Sequence, residues 1–392
     1  MRLGGLTIAF FTCNYRPLIN GLSLAVERLA SGLRARGHRV LVFAPRYPGH
    51  REGDPDCVRL PSLRAPTHHA YALPLPWLAR TRRALAAARP DVVHAHHPFL
   101  VGPHAARLAR RLGAPLVFTH HTLYEHYGHY VPAAPRLAGA LARWRAARFA
   151  SRADLVVAPG PAVARRLAED DVATPIVTIP TGVDAPPPIP EERRNAQRQD
   201  LLAGAAGPLI LAVGRLAREK NLASLLRAFA LVAGEASGAA LCLVGDGDER
   251  GRLAKLARTL GMHGRVRFVG AVPHDAVSEH YAAADIFAFP SISETQGLVV
   301  LEALAHGLPV LAAHSPAVDG LLEDGETARV VAPTVSGLAA GLRNLMGSPE
   351  LRARLGASGR ALAAAHPFEA TVERHLEAYR SLLCSAPPHA PR

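Results

Sequence analysis

The segment Pro290-Ser-Ile-Ser-Glu-Thr-Gln-Gly-Leu-Val-Val-Leu-Glu-Ala-Leu-Ala-His-Gly-Leu-Pro309 carries two carboxylates, Glu294 and Glu302, on either side of a glycine. The apolar run before it reads as a strand, and the run after Gly297 as a helix. A helix opening at Gly297 and Leu298 presents unpaired backbone N–H groups and the positive end of its dipole, which suits a phosphate. Glu294 then precedes the helix and Glu302 lies about one and a half turns inside it. Two acids so placed can accept hydrogen bonds from hydroxyls on both sides of the phosphate, as a sugar and a ribose would supply. Alone, the spacing is common by chance and fits a buried turn with two solvated acids equally well.

A second cluster, Val213-Gly-Arg-Leu-Ala-Arg-Glu-Lys-Asn221, follows another apolar run and leads into a helical stretch. Arg215 and Lys220 at a strand end can neutralise charge on a departing diphosphate. Lys220 and Lys255 are the only lysines in a chain that otherwise uses arginine, which weighs against an ordinary exposed turn. Val244-Gly-Asp-Gly247 ends the next strand; a lone GxG marks a tight turn. In the N-terminal half, Pro17-Leu-Ile-Asn-Gly21 is a glycine-bearing turn between a strand and a helix. Thr119-His-His-Thr-Leu-Tyr-Glu-His-Tyr-Gly-His-Tyr130 concentrates hydrogen-bonding aromatics after a strand, which also fits a polar aromatic cap over a sheet end. Twelve of the 20 histidines precede residue 130, among them Asp91-Val-Val-His-Ala-His-His97 and His120-His121. No cysteine or acid stands beside them at ligand spacing, so no metal site is expected.

The elements that must hold these residues alternate along the chain. Strands are expected at Leu6–Thr12, Arg39–Ala44, Asp91–Ala95, Pro115–Thr119, Asp154–Ala158 and Pro175–Ile179. Helical patterns fall at Leu22–Arg36, Trp77–Ala88, Pro103–Leu112, Pro135–Ala150 and Gly160–Glu169. After the stiff segment Ala185-Pro-Pro-Pro-Ile-Pro190, strands resume at Pro208–Val213, Ala239–Gly245, Arg265–Gly270, Asp285–Phe289 and Pro309–Ala312. Helices are expected at Asn221–Gly234, Asp248–Leu260 and Leu298–His306, and from Val335 to Leu383. Continuous apolar strands between helices imply parallel sheets covered on both faces, hence two doubly wound α/β domains in 392 residues.

From Asp285 to Pro309 the chain resembles, almost without interruption, the E-x7-E signature of the family-4 retaining glycosyltransferases. Residues 213–221 resemble that family's GRL-x-x-EKN segment, Phe268-Val-Gly270 its strand before the base-binding loop, and Pro17–Gly21 its glycine-bearing loop. Here Asn20-Gly21 stands where many members have Gly-Gly. Residues 119–130 resemble the bacterial diacylglycerol glucosyltransferases of this family, keeping His-Thr-x-Tyr-Glu-x-Tyr-x-His-Tyr, and Glu294-Thr-Gln-Gly-Leu298 fits the same branch.

The resemblance implies a GT-B fold, two Rossmann-like doubly wound domains facing a central cleft. Residues 1–185 would form the acceptor and membrane-facing domain, 186–190 a linker and 191–365 the donor domain. Residues 366–392 would form a helix crossing back to the first domain. It implies transfer of glucose or galactose from a UDP-sugar, with retention, to a lipid acceptor, in the first place 1,2-diacylglycerol. Phosphatidylinositol or a polysaccharide precursor, with GDP-mannose among the donors, is the alternative. Residue by residue, it places Glu294 and His121 at the reacting sugar and Glu302 on the ribose. Gly21, Arg215, Lys220, Gly245, Gly297 and Leu298 fall to the rest of the donor, and Tyr124, Glu125 and Tyr127 to the acceptor side. No tightly bound metal or other cofactor is implied.

Charge is unevenly distributed. Residues 1–190 carry 24 arginines against 11 acids, which accounts for the whole formal excess of +13. An anionic partner for this half is expected, a membrane surface, a nucleic acid or an acidic substrate. No aromatic stacking platform or recognition motif accompanies the charge, so nucleic acid is not expected. Trp77-Leu-Ala-Arg-Thr-Arg-Arg-Ala-Leu85 sets Arg80, Arg82 and Arg83 beside apolar anchors. Leu137, Leu141 and Trp144 stand at helical spacing among Arg143, Arg145, Arg148 and Arg152. Each stretch reads either as an interfacial helix for anionic lipid or as a core-facing stripe with a solvated basic face. Four scattered cysteines and no signal-peptide pattern make a reducing cytoplasm the expectation, and without a long apolar run any membrane contact is peripheral; with the lipid acceptor that the resemblance implies, the enzyme is expected at the inner membrane face.

Overall fold

The computed structural model describes residues 5–18, 20–64, 72–75, 79–131, 133–235 and 238–385. The chain forms two compact units, residues 1–181 with 369–392, and residues 182–368. The first contains β1 (Thr7–Phe11), α1 (Gly21–Ala35), β2 (Arg39–Pro45), β3 (Cys57–Leu60), β4 (Ser62–Arg64), β5 (Ala72–Pro74) and α2 (Ala79–Ala88). It continues through β6 (Val92–Ala95), α3 (Val101–Leu112), β7 (Leu116–Thr119), a 3-10 turn over Tyr124–Tyr130, α4 (Pro135–Ala150), β8 (Leu155–Ala158), α5 (Pro161–Glu169) and β9 (Ile176–Thr178). Its sheet has the order β3-β2-β1-β6-β7-β8-β9, with every pair parallel.

The second unit contains α6 (Glu191–Leu202), β10 (Leu209–Val213), a 3-10 turn over Arg218–Lys220, α7 (Leu222–Val232), β11 (Ala240–Val244), α8 (Arg250–Thr259), β12 (Val266–Gly270) and α9 (Val277–Ala283). It goes on with β13 (Ile286–Phe289), α10 (Leu298–Ala305), β14 (Val310–Ala313), β15 (Arg329–Val331), α11 (Val335–Gly347) and α12 (Pro349–Ala364). The last helix, α13 (Phe368–Ser385), lies almost wholly in the first unit. There Tyr379 Oη and His94 Nδ1 are 2.7 Å apart, and Thr371 Oγ1 donates to the Pro180 carbonyl at 2.9 Å.

The second sheet, β12-β11-β10-β13-β14-β15, is also parallel throughout and has the doubly wound order. Alternation along one strand feeds both of its faces. Ile210 and Ala212 enter one core with Leu226 and Phe229 of α7 and Leu342 of α11. Leu209 and Leu211 enter the other with Tyr281 of α9 and Val300 and Leu304 of α10. This explains why the strands read as unbroken apolar runs: each residue in turn faces a helix layer.

One device recurs at the strand starts. Asp91, Asp154 and Asp285 each stand one residue ahead of β6, β8 and β13. Each carboxylate accepts the N–H of the residue opposite, Thr7 at 2.8 Å, Leu116 at 2.7 Å and Leu209 at 2.8 Å. Each aspartate's own N–H donates back to the same residue's carbonyl. The strands expected from Asp91, Asp154 and Asp285 therefore begin one residue later, with the aspartate as a clamp on the neighbouring strand. Asp285 also pairs with Arg198 of α6 at 2.8 Å.

Asp285→Ala removes the acceptor of a backbone N–H at the start of a central strand and should cost the second unit about 2 kcal/mol. Asp285→Asn, which keeps an oxygen there, should cost about half as much. Urea midpoints of the two variants measure this; equal values for Ala and wild type would remove the clamp from the account.

Candidate functional site

In a doubly wound sheet the chain leaves two neighbouring strands in opposite directions at the switch point, and a crevice opens beyond their carboxyl ends. In the second unit those strands are β10 and β13. A depression lies there, lined by Gly214, Arg215, Leu216 and Lys220 after β10, by Phe289 at the end of β13 and by Pro290, Ser291 and Glu294 after it. Both motifs singled out in this half thus reach one cavity. Lys220 Nζ donates to the Glu294 carboxylate, joining two segments 74 residues apart. Arg215 pairs with Glu219, whose side chain is almost completely buried. Lys220 ends its 3-10 turn ahead of Asn221, whose left-handed φ of +54° directs the chain into α7.

Gly297 caps α10 at φ +55°, and a Cβ there would stand 3.3 Å from the Phe289 ring and from Val300. As glycine it offers no side chain to the first-turn N–H groups of Leu298 and Val299. Glu302, inside the helix, has a partner that sequence reasoning missed. Tyr281 of α9 donates its phenol to Glu302 Oε2 at 2.9 Å and stacks its ring 5.1 Å from His306. Burial foremost, then the Glu302 charge, hold the Tyr281 phenol far above its ordinary range, so it stays a donor. No local pattern announces Tyr281; its role depends on α9 lying against α10. Gly245, expected beside a nucleotide, is required by packing in any case: φ is +130° and a Cβ would meet the Gly214 carbonyl at 2.0 Å.

In the first unit, Gly21 opens α1 behind a reciprocal cap. Asn20 Oδ1 accepts from Ser23 N at 2.8 Å, and Ser23 Oγ accepts from Asn20 N at 2.9 Å. Among the described residues a Cβ at Gly21 would meet nothing within 4 Å, so they do not themselves demand glycine there. His121, beyond β7, is partly buried, and its Nε2 lies 3.0 Å from Nδ1 of His96, beyond β6. Glu125 pairs with Arg166 of α5 at 2.9 Å, and Tyr127 is partly buried.

Tyr124, expected on the acceptor side, is buried. It is 7% exposed and packs edge-on against Phe99 at 4.9 Å and His120 at 5.6 Å, so it is part of the interior beneath this segment. Leu123 beside it is buried too, while His126 is exposed. The stripe on α4 also has a definite side. Leu137, Leu141 and Trp144 are 70%, 47% and 56% exposed, while Gly139, Ala146, Ala147 and Phe149 are buried. Arg148 lies over the Trp144 ring, 5.6 Å from its centre, and Arg143 Nε holds Asp170 at 2.7 Å. Arg83 of α2 is exposed. Trp77 lies outside the described residues, as do the side chains of Arg80 and Arg82.

Six histidines of the first unit, His94, His96, His97, His120, His121 and His375, are held neutral by burial. Burial holds His97, His120 and His375 down to about 4, and burial with the neighbouring His120, His375 and His97 holds His121 down to about 3. These depressed values stabilise the fold above the unfolded pKa near 6.5, where both states are neutral. Between about 6.5 and 4 the unfolded chain takes protons that the native unit refuses. Stability of this unit should therefore fall on acidification, by about 1.4 kcal/mol per pH unit for each proton taken up. Urea melts from pH 7 to 5 test this; a flat midpoint would contradict neutral buried histidines.

Two family models match: Glycosyltransferase Family 4 over residues 19–185 and Glycosyl transferases group 1 over residues 193–362. The chain is 29% identical over 322 residues to an alpha-monoglucosyldiacylglycerol synthase of Streptococcus pneumoniae, covering 81% of this chain and 73% of that one. It is 34% identical over 320 residues to a GDP-mannose-dependent alpha-mannosyltransferase of Mycobacterium tuberculosis, covering 79% of each. Its fold superposes on sucrose-phosphate synthase from Thermosynechococcus elongatus with a TM-score of 0.81, at 24% identity over 97% of this chain and 100% of that one. Two parallel-sheet units, a switch-point cavity lined by both motifs and these likenesses lead to one conclusion: the chain belongs to the family-4 glycosyltransferases and has the GT-B fold.

Proposed function

We propose that this glycosyltransferase moves a hexose, glucose or galactose, from a UDP-sugar to a lipid hydroxyl, in the first place that of 1,2-diacylglycerol, with retention. The observation that carries the donor half is the meeting of Arg215, Lys220 and Glu294 in one cavity. A diphosphate there takes Lys220 from Glu294 and gains Arg215, together with the N–H groups after Gly297. Glu294, released, accepts from the sugar hydroxyls, and Glu302, steadied by Tyr281, accepts from the ribose. Gly21 is assigned to the donor phosphate and His121 to the sugar, both from the family resemblance. No carboxylate is identified as a covalent nucleophile. The sugar–phosphate bond breaks as the acceptor oxygen attacks on the same face, and the acceptor proton passes to a leaving-phosphate oxygen. Arg215 and Lys220 balance the charge left behind.

The acceptor half rests on the branch resemblance of residues 119–130 and on the exposed Leu137, Leu141 and Trp144 among arginines. Such a face suits shallow insertion at the cytoplasmic side of an anionic bilayer, where each cation near the surface contributes about 1 kcal/mol. No helix among the described residues is long and apolar enough to cross a membrane.

Purified protein is offered each donor with vesicles carrying each acceptor, and the products are identified by mass and by the anomeric coupling constant. An α-linked glycosyl lipid is expected; a β-linked product, or transfer only to soluble acceptors, would contradict the reading. Glu302→Ala should raise the donor KM about tenfold with kcat nearly kept, because the ribose is remote from the reacting carbon. Glu294→Ala should lower kcat by 100-fold or more. Equal, small effects would sink the donor-site assignment.

Vesicle flotation at several anionic-lipid fractions and salt concentrations tests the membrane face. Polar replacement of Leu137, Leu141 and Trp144 together should weaken binding at least tenfold. Replacement of Arg80, Arg82 and Arg83 by Gln should weaken it further at low salt, with donor binding intact in both. Binding indifferent to lipid charge and to both sets would leave the basic half a solvated surface.

A further inference from the structure

The first unit has a switch point of its own, between β1 and β6, and His96 stands just past the end of β6. His96 is 1% exposed, with the His94 ring 4.1 Å away and Phe10 edge-on at 4.6 Å. Its Nδ1 lies 3.0 Å from His121 Nε2, a hydrogen bond between two imidazoles in which only one nitrogen carries the proton. The other nitrogen of His96, Nε2, is buried with no partner among the described residues.

That orphan decides which way the bond runs. If His121 Nε2–H donated to His96, the His96 proton would sit on Nε2 as a buried N–H with nothing to accept it. If His96 Nδ1–H donates to His121, the orphan is a bare lone pair. Buried unpaired N–H groups are the rarer and costlier of the two. His121 then accepts at Nε2, and its own proton must sit on Nδ1. Burial holds both rings neutral, so a doubly protonated imidazole does not intervene.

We propose that His96 is a positioning residue that fixes His121 as its Nδ1–H tautomer, so that His121 meets a ligand as a hydrogen-bond donor and not as a base. This rests on the reading of His121 as a residue of the reacting sugar. The chemical class it selects is an oxygen lone pair, such as a sugar hydroxyl or a carbonyl. An imidazole whose Nε2 is committed to His96 cannot remove an acceptor proton through that nitrogen, and its Nδ1 already carries one. The arrangement is therefore suited to a reaction in which the leaving phosphate, and not a protein base, takes the proton.

The test has two arms. In full-length protein labelled with 15N-histidine, His121 is assigned by its loss in His121→Gln. The expected spectrum has a protonated Nδ1 and a bare Nε2 for His121, and a protonated Nδ1 for His96. A proton on Nε2 of either ring would overturn the proposal whatever the protein's activity. The second arm uses His96→Asn, whose amide nitrogen overlays Nδ1 and can donate, and His96→Leu, which cannot. His96→Leu should lower kcat about tenfold with the donor KM within about twofold, and His96→Asn should stay within about threefold of wild type. Equal losses in the two variants would mark His96 as packing only. Failure of every donor in wild-type protein would instead remove the transferase reading of this site, while the spectrum still decides the tautomer.

Discussion

Both main sheets are parallel throughout, and a parallel pair cannot be closed by a hairpin. Each strand must leave its carboxyl end and return through a crossover. At the switch point two such departures diverge, and the space between them cannot be filled by either crossover. The cavity past β10 and β13 follows from that topology. The side chains in it were set by which residues fall just after the strands. The strands themselves must then be held in fixed register, and the three aspartate clamps do this at the opposite ends. Each matches an N–H that the strand ladder leaves over with a carboxylate from the neighbouring strand's first turn of chain. Glycine answers the same constraint at the cavity rim. The turns after β10 and β11 pass so close that a Cβ at Gly245 would collide with the Gly214 carbonyl.

Electrostatics inside the cavity follow from its being only partly open to water. A lone cation or carboxylate there would be poorly solvated, and each is instead matched: Lys220 with Glu294, Arg215 with Glu219. The two pairs differ in kind. Glu219 is buried and neighbours Arg215 along the chain, so that pair is a fixed local brace. Lys220 and Glu294 come from different crossovers, each about a fifth to a quarter exposed. That pair is within reach of solvent, as the exchange for ligand phosphate and hydroxyls proposed above requires.

Much of this was legible in the sequence because it is local. The strands stood out as apolar runs, α4 and α10 began where expected, and Arg215, Lys220 and Glu294 lay in continuous motifs. What escaped was non-local or without periodicity. The helix α6 runs through Glu191-Glu-Arg-Arg-Asn-Ala-Gln-Arg-Gln-Asp200 and buries only Leu201, so no apolar stripe marks it. The three-residue strand β15 and the β4–β5 pair are too short for a pattern to emerge. Tyr281 becomes visible only once α9 meets α10, and the burial of Tyr124, a single aromatic in a polar segment, has no signature. The α4 stripe was ambiguous for a physical reason. Leucine and tryptophan at helical spacing describe a face, and only the packing of the opposite face tells which side water sees.

That packing also ties α4 to the polar aromatic segment. The helix meets the Tyr124–Tyr130 turn through two glycines. A Cβ at Gly128 would stand 2.0 Å from the Pro135 carbonyl, and one at Gly139 would stand 2.6 Å from the Glu125 carbonyl. Backbones at that separation leave no room for sliding, and Arg143 and Arg166 fasten the same region to Asp170 and Glu125. Leu137, Leu141 and Trp144 are therefore held at a fixed offset from Glu125 and Tyr127. If those apolar side chains enter a bilayer interface, their depth sets the depth of the polar segment beside them. A lipid hydroxyl lies at the boundary between head group and acyl chain, only some 5–10 Å within such an interface. A rigid pairing of an inserting stripe with hydrogen-bonding groups meets that requirement better than a flexible loop, because the ordering cost is already met in the folded protein and need not be met again when lipid binds.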